Sequence, residues 1–366
     1  MKMHELNSEY SVSIDSANEK EWNNLIQLFR DANVYQTWAY NHTRSKKCSS
    51  LILKYNGAVV AIAMVRLITM PGLKIGIAYL GLGPLWQLKN VTNHINSLRT
   101  ILLALKKEYV VYRKLYLRVS PSIYTINNDY IDLSKLFQEF NEFNFRSYTV
   151  RTLFLDLDPS EIDLRKNLNS KWRSTLNRSE RNDFIVRIGT EDGLFKTFKE
   201  IYKEMIERKK YPGAIDINQI ERIQYALPEA LKYTIVVCEL DNCPMAGGIF
   251  STIGDTGIYF LGATSNSGLK NGSSYIVQWE VIKWMKKQGL KIYDLGGVSP
   301  EKVPETYRFK AGIVGKTHTI HERIGILEAC ENPFSKIVFN SGMYIKKHST
   351  FLRSFLKINR LFLTNS

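Results

Sequence analysis

The chain has 366 residues, 44% of them hydrophobic, with 50 Lys and Arg against 35 Asp and Glu for a formal net charge of +15. That length exceeds one ordinary core and predicts two domains, and the ordinary apolar fraction excludes a disordered chain. The excess of cations calls for a polyanionic partner such as RNA, a phosphate-bearing substrate or an anionic membrane surface, while four cysteines without a C-x-x-C pair (Cys48, Cys238, Cys243 and Cys330) argue against a zinc site.

The first twenty residues are polar and have no apolar h-region, so no signal peptide is expected. Apolar runs are short and strand-like, which predicts no membrane span and a cytoplasmic protein. Trp22, Leu25, Ile26, Leu28 and Phe29 give Glu21 to Asp31 a helical stripe. Ser50 to Tyr55 and Ala58 to Thr69 read as strands joined at Asn56-Gly57, a strong hairpin signal. After Pro71-Gly72, Lys74 to Leu80 is a third strand ending in Gly81-Leu82-Gly83-Pro84. Thr92 to Tyr109 reads as a helix and Lys114 to Val119 as a strand.

The second half repeats the plan. Helices are predicted over Lys196 to Lys209 and Ile217 to Ala226, a strand over Tyr233 to Leu240, and a turn at Asp241-Asn242-Cys243-Pro244 that would let Cys238 and Cys243 face each other as reduced thiols. Strands follow over Met245 to Ile253 and Gly257 to Thr264, then a helix over Ser273 to Gln288, stopped by Gly289, and a strand over Lys291 to Leu295. Two hairpins, LILKYNGAVVAIAMV and IVVCELDNCPMAGGIF, followed by the same elements, read as an ancient duplication. A hairpin, a third strand, a helix and a further strand is the central plan of the GNAT fold. The expected fold class is therefore α/β (α+β), with two tandem GNAT-like domains, each a mixed, mostly antiparallel sheet flanked by helices, sharing an interface or a cleft. The expected boundaries are 1–149, 150–325 and a basic amphipathic helical segment over 326–366 packed on the first domain.

Three segments carry a family resemblance: Lys171-Trp172-Arg173-Ser174-Thr175-Leu176-Asn177-Arg178-Ser179-Glu180-Arg181; Ser274 to Glu280 with Tyr293-Asp294-Leu295-Gly296-Gly297-Val298; and Tyr307-Arg308-Phe309-Lys310-Ala311-Gly312 with Gly315. In this order and spacing the chain resembles the FemABX family of peptidoglycan bridge-forming aminoacyltransferases, as a member without the coiled-coil arm. Ile313 stands where that family often has Phe, and Gln87 where its muramyl-peptide binders would place an acid. The resemblance implies transfer of an aminoacyl group from aminoacyl-tRNA to an amine of a nucleotide- or lipid-linked envelope precursor, with no cofactor and with a substrate cleft between the two GNAT-like domains. The alternative donor is acyl-CoA, in an N-acyltransferase acting on an amino sugar or amino acid. A loosely Gly-rich stretch, Gly268 to Ser274, stands where GNAT enzymes bind the pyrophosphate of acyl-CoA, and it reads equally as a plain N-cap by Ser273. A third reading is a non-catalytic RNA-binding protein, which predicts salt-sensitive binding without turnover.

Candidate residues lie in these segments and on neighbouring elements of the repeated plan. Lys171, Arg178 and Arg181 share a helical face with Ser174, and such a face binds phosphate; Arg178 is the expected diphosphate contact. Lys310, carried by a loop to the end of the Tyr293–Leu295 strand, is the expected catalytic group, stabilising an oxyanion or holding the tRNA end. Asp294, Tyr259, Tyr275, Tyr307 and Phe309 complete the substrate-binding set in the second half, and Trp38, Arg44 and Tyr79 in the first. No metal pattern appears among the six histidines; His318 and His321 would lie on opposite faces of one strand. The tail from Pro333 alternates Lys and Arg with Phe351, Leu352, Phe355 and Leu356, which suits peripheral contact with an anionic membrane or packing as a closing helix.

Overall fold

Local signals start the chain. Asn18 caps the first helix through a capping box, its side chain accepting from the Glu21 amide while Glu21 accepts from the Asn18 amide. Asn56 and Gly57 both adopt left-handed backbone, with φ of 48° and 83°, and close the first hairpin. The computed structural model describes residues 9–91, 95–124, 143–146, 150–210, 215–315 and 318–348. The chain divides into two units, one of Met1–Thr149 with Arg323–Ser366 and the other of Val150–Glu322.

The first unit contains β1 (Tyr10–Ile14), α1 (Glu19–Ile26), α2 (Trp38–Arg44), β2 (Cys48–Tyr55), β3 (Ala58–Thr69), β4 (Gly76–Gly81), α3 (Ile95–Leu105), β5 (Tyr116–Ser120) and β6 (Asn144–Arg146). The second unit contains β7 (Arg151–Thr152), β8 (Phe154–Asp156), α4 (Glu161–Asn167), α5 (Ser170–Ser179), β9 (Ile185–Gly189), α6 (Asp192–Lys209), α7 (Ile217–Ala226), β10 (Thr234–Leu240), β11 (Cys243–Ser251), β12 (Thr256–Thr264), α8 (Ser273–Lys287), β13 (Ile292–Asp294), α9 (Pro304–Val314) and β14 (His321–Glu322). The chain then returns to the first unit as β15 (Ile326–Ala329) and α10 (Pro333–His348).

The first sheet runs β1-β2-β3-β4-β5-β15-β6 and the second β8-β13-β12-β11-β10-β9. In each, a hairpin leads to a third antiparallel strand, a helix, and a strand parallel to the third: β4 pairs with β5 and β12 with β13 in parallel. This repeated arrangement is the GNAT-like plan read from the sequence. Leu51, Leu53, Val65, Leu80 and Leu117 pack with Leu98, Ile101 and Leu105 of α3 on one face of the first sheet. Val236, Phe250 and Tyr293 pack with Val277, Val281 and Ile282 of α8 in the second unit. Among the described residues no helix is long and apolar enough to cross a membrane.

Several expectations shift. The Lys310 segment is not a loop: Pro304 starts α9, because proline at the first helical position loses no hydrogen bond. The β10–β11 turn is confined to Asp241 and Asn242, at φ of 52° and 60°, so Cys243 and Pro244 lie in β11. Cys238 therefore opposes Ala246, and Cys243 opposes Leu240, instead of facing each other. His318 precedes β14 and shares no strand with His321. The segment read as helical from residue 326 begins with a strand, β15, and its helix α10 stacks Phe339 on Tyr116 at 4.0 Å. The apolar positions of the tail from Phe351 onward lie outside the described residues.

Candidate functional site

β13 ends at Asp294, at the C-terminal edge of a strand parallel to β12, where α/β sheets commonly carry chemistry. The turn after it needs Gly296: its φ is +70°, and a Cβ there would sit 2.9 Å from the Tyr259 carbonyl oxygen. Asp294 is buried and binds the turn back, accepting from the Gly296 amide at 2.8 Å and from the Thr152 hydroxyl. The chain then reverses through Pro300 and Pro304 into α9, and α9 points Lys310 at this turn.

Lys310 is 8% exposed. Its Nζ donates to the Gly297 carbonyl at 2.9 Å and lies 5.5 Å from the centre of the Tyr259 ring. Burial pulls its pKa down to about 8, opposed by the charge of Asp294. A lysine so tuned stays mostly cationic at neutral pH and has protons to direct at a developing negative charge. Tyr259, pushed up to about 12 by burial, remains a neutral phenol. Gln278 of α8 accepts from the Tyr293 hydroxyl at 2.7 Å, fixing the wall behind.

Tyr275 and Phe309 pack elsewhere in the unit. With Trp172 they form an aromatic cluster joining α5, α8 and α9, with ring centres 4.8 Å apart for Trp172–Tyr275 and 5.1 Å for Tyr275–Phe309. Gly312 makes this possible: a Cβ there would meet Trp172 Cδ1 at 2.6 Å. Tyr307 donates to His318 Nε2 at 2.9 Å, and the other nitrogen, Nδ1, donates to the Gly315 carbonyl at 3.0 Å. The bond to the carbonyl fixes that tautomer.

α5, capped by Asn169, packs on α9 through the Asn169 amide, which donates to the Gly312 carbonyl at 3.0 Å. Its outer face bears a groove of about 470 Å³ lined by Ser170, Arg173, Ser174, Asn177, Arg178 and Arg181. The cationic stripe thus contains Arg178, Arg181 and Ser174 as expected, but Arg173 in place of Lys171. Lys171 is exposed and shares the face of Arg178, but at the first turn of α5 it lies outside the lining of the groove. Arg178 is exposed and forms no ion pair among the described residues. At the head of α8 the N-cap is Gly272, not Ser273, and a Cβ on Gly272 would meet Ser179 Oγ at 1.9 Å. Ser273 itself is wholly buried and donates to the Gly268 carbonyl at 3.3 Å. The end of α5 thus approaches that helix end closely at Gly272, while Asn271 and Ser274 keep partial exposure.

The first-unit candidates gather on one side of its sheet. Trp38 opens α2 and stacks on His42 with ring centres 4.1 Å apart. Arg44, on the same helix, is buried over the ring of Tyr40. Tyr79 of β4 meets Arg66 of β3, whose guanidinium carbon lies 4.9 Å from the ring centre. Arg66 was missed in the sequence reading, as was Thr152. The signal for Arg66 was available: it is the single cation in the apolar run Ala58 to Thr69.

No family model matches the chain. Over 142 residues, it is 30% identical to the UDP-N-acetylmuramoylpentapeptide-lysine N(6)-alanyltransferase of Weissella viridescens, a match spanning 38% of this chain and 41% of that protein. The crystal structure of FemX superimposes with a TM-score of 0.72 at 16% identity, covering 89% of this chain and 99% of that one. A conserved protein of unknown function from Bacteroides thetaiotaomicron superimposes with a TM-score of 0.58 at 11% identity, covering 87% of this chain and 100% of that one. The FemABX resemblance read from the sequence is borne out by the alanyltransferase match and the FemX fold.

Proposed function

We propose that this chain, similar to FemX in fold and over 142 residues in sequence to a muramoylpentapeptide-lysine alanyltransferase, is an acyltransferase that forms an amide between an aminoacyl group carried by aminoacyl-tRNA and an amine of a nucleotide- or lipid-linked cell-envelope precursor. The observation that carries the reading is Lys310, a buried cation held at the end of β13 by the Gly297 carbonyl and favoured there by the charge of Asp294. The acceptor amine attacks the ester carbonyl of the donor, and the carbonyl oxygen takes the negative charge. The Lys310 ammonium, in a site of low dielectric, stabilises that oxygen. The ester C–O bond then breaks, the sugar oxygen of the tRNA leaves with a proton, and the amide remains. An aminoacyl ester is already activated and an amine is a good nucleophile, so positioning supplies much of the rest.

The arginine stripe of α5 suits the diphosphate of the precursor, with Arg178 as its main contact. The close approach of Ser179 to Gly272 at the head of α8 supports an aminoacyl donor over acyl-CoA. Incubating the protein with charged tRNA or with acyl-CoA, each with muramyl-peptide and amino-sugar acceptors, and weighing the products tests the proposal. A mass-shifted acceptor with the tRNA donor is expected. Transfer from acyl-CoA alone would replace the reading with the N-acyltransferase one, and tight tRNA binding without any product would replace it with the RNA-binding one.

A further inference from the structure

Helix α10 closes the first sheet with one side only. Ser335 and Phe339, one turn apart on its inner side, are wholly buried. The Ser335 hydroxyl donates to the Lys114 carbonyl at 2.8 Å and accepts from the Gly76 amide at 3.1 Å, and Phe339 stacks on Tyr116. These contacts fix the rotation of the helix about its axis. Phe334, Ile337 and Tyr344, spaced by three and seven, therefore come round to the outer side, where they stand between 59% and 67% exposed. The tip of the β3–β4 hairpin lies next to the head of this helix: Asn332 donates to the Lys74 carbonyl at 2.8 Å, and Met70 and Leu73 of that tip are exposed as well.

Large apolar side chains that face water in one neighbourhood mark an interaction surface. The charge around them selects the partner. Lys336 stands exposed at the edge of the outer side of α10, and Lys74 stands exposed after the hairpin tip. From Pro333 to Ser366 the sequence carries six Lys and Arg and no Asp or Glu. Glu331, just before the helix, lies 4.0 Å from Lys114. A second copy of the chain would bring the same positive charge to this contact, which opposes self-association. A surface with negative headgroups above an apolar interior answers both halves of the patch: aromatic and aliphatic side chains enter the boundary of the acyl chains while the lysines meet the headgroups. With 16 residues and its inner side spent on the sheet, α10 can lie along such a surface but not across it.

We propose that the outer side of α10, with the tip of the β3–β4 hairpin, is a docking surface for an anionic phospholipid bilayer. Phe334 and Ile337 are its apolar anchors, and Lys336 and Lys74 its headgroup contacts. The surface rests on the first unit's own geometry and is independent of the transferase reading.

Co-sedimentation of the full chain with lipid vesicles tests it. Vesicles of phosphatidylcholine mixed with phosphatidylglycerol are expected to carry the protein down, and added salt to weaken that binding. Vesicles of phosphatidylcholine alone are expected to leave most of it in solution. Phe334→Ser combined with Ile337→Ser lowers the affinity for the mixed vesicles on the order of tenfold or more. Lys336→Gln lowers it about fivefold and carries the comparison should the double variant fold poorly. All three side chains are exposed, so Tm should stay close to that of the wild type. No binding to the mixed vesicles overturns the surface, as does equal binding to both compositions or binding undiminished by these variants. A concentration-dependent dimer that the double variant abolishes would also overturn it, by assigning the patch to a second copy. Because the readout is lipid binding alone, its failure leaves the transfer assay standing, and failure of transfer leaves this surface standing.

Discussion

Removing the ammonium of Lys310 while keeping its stem separates two roles. If the cation stabilises the oxyanion, Lys310→Met lowers kcat by about 10²–10³, the cost of losing one such donor, with the donor KM little changed. If it grips the tRNA end, the loss appears in the donor KM and fades as donor concentration rises; steady-state kinetics at saturating acceptor tell them apart. The same residue gives the protein a pH signature. Its folded pKa, about 8, lies below the ordinary 10.5 because burial disfavours the charge. Between those values the unfolded chain binds more protons than the folded one, so stability rises with pH across that window. Below pH 8 the folded protein carries the full penalty, on the order of 3 kcal/mol. Lys310→Met is therefore expected to gain stability relative to the wild type at pH 7, and the difference should shrink as pH rises from 8 towards 10.5, as followed by urea titrations. For Arg178→Ala, the expectation is an acceptor KM raised roughly tenfold or more, from a charged contact worth about 1.5–3 kcal/mol. A truncated acceptor without phosphates should be much less affected, and equal loss with both would remove the diphosphate role. At this scale the sequence showed the residues more readily than their environments. Lys310, Asp294 and Tyr259 come together, yet the Thr152 hydroxyl that holds Asp294 lies 142 positions away from it, and no local pattern reveals that contact. Arg66 was hidden for the opposite reason, inside a run whose apolar neighbours drew it into a strand reading.

Helices and strands with strong local chemistry were legible, and those made by distant partners were not. Asn56-Gly57 fixed the first hairpin, and Ile217–Ala226 appears with the bounds its periodicity gave. By contrast β8, with three residues, exists because β13 lies beside it, and β9 pairs with β10 at the edge of the sheet. α9 was mistaken for a loop because Pro300 and Pro304 dominate the local signal, although proline at a first turn starts helices as readily as it ends strands. The packing of α9 on α5 has a sharp requirement at Gly312. Gly312→Ala places a methyl group 2.6 Å from Trp172 Cδ1, and relief means shifting a buried indole or parting the helices. A loss of about 1–3 kcal/mol is expected from such overpacking. Chemical denaturation of the variant measures it, and an unchanged midpoint would mean that the interface yields more easily than a packed core does.

At the scale of the whole chain, duplication is the feature most visible in the residues: two hairpins of matching plan became two sheets with a parallel pair at the same place, β4–β5 and β12–β13. The return of the chain to the first sheet was not visible. β15 is four residues long and lies between β5 and β6, pairing with both. A chain ending at residue 322 lacks that strand and the stacking of Phe339 on Tyr116, and β6 loses its one partner among the described residues. Such a truncation is expected to lose the cooperative unfolding of the first unit while a fragment of residues 150–322 keeps its own; circular dichroism melts of the two would show it, and a truncated chain melting like the full one would refute the requirement.

The position of β15 also sets an order in time. Chains emerging from the ribosome usually fold their first domain first. Here the first sheet cannot be completed until Ala329 has been made, whereas every strand of the second unit has emerged by Glu322. At common synthesis rates, the 180 residues between Thr149 and Ala329 take roughly 10–35 s to make. Through that interval β2 to β5 wait with an open edge, and the later half of the protein is finished before the earlier one.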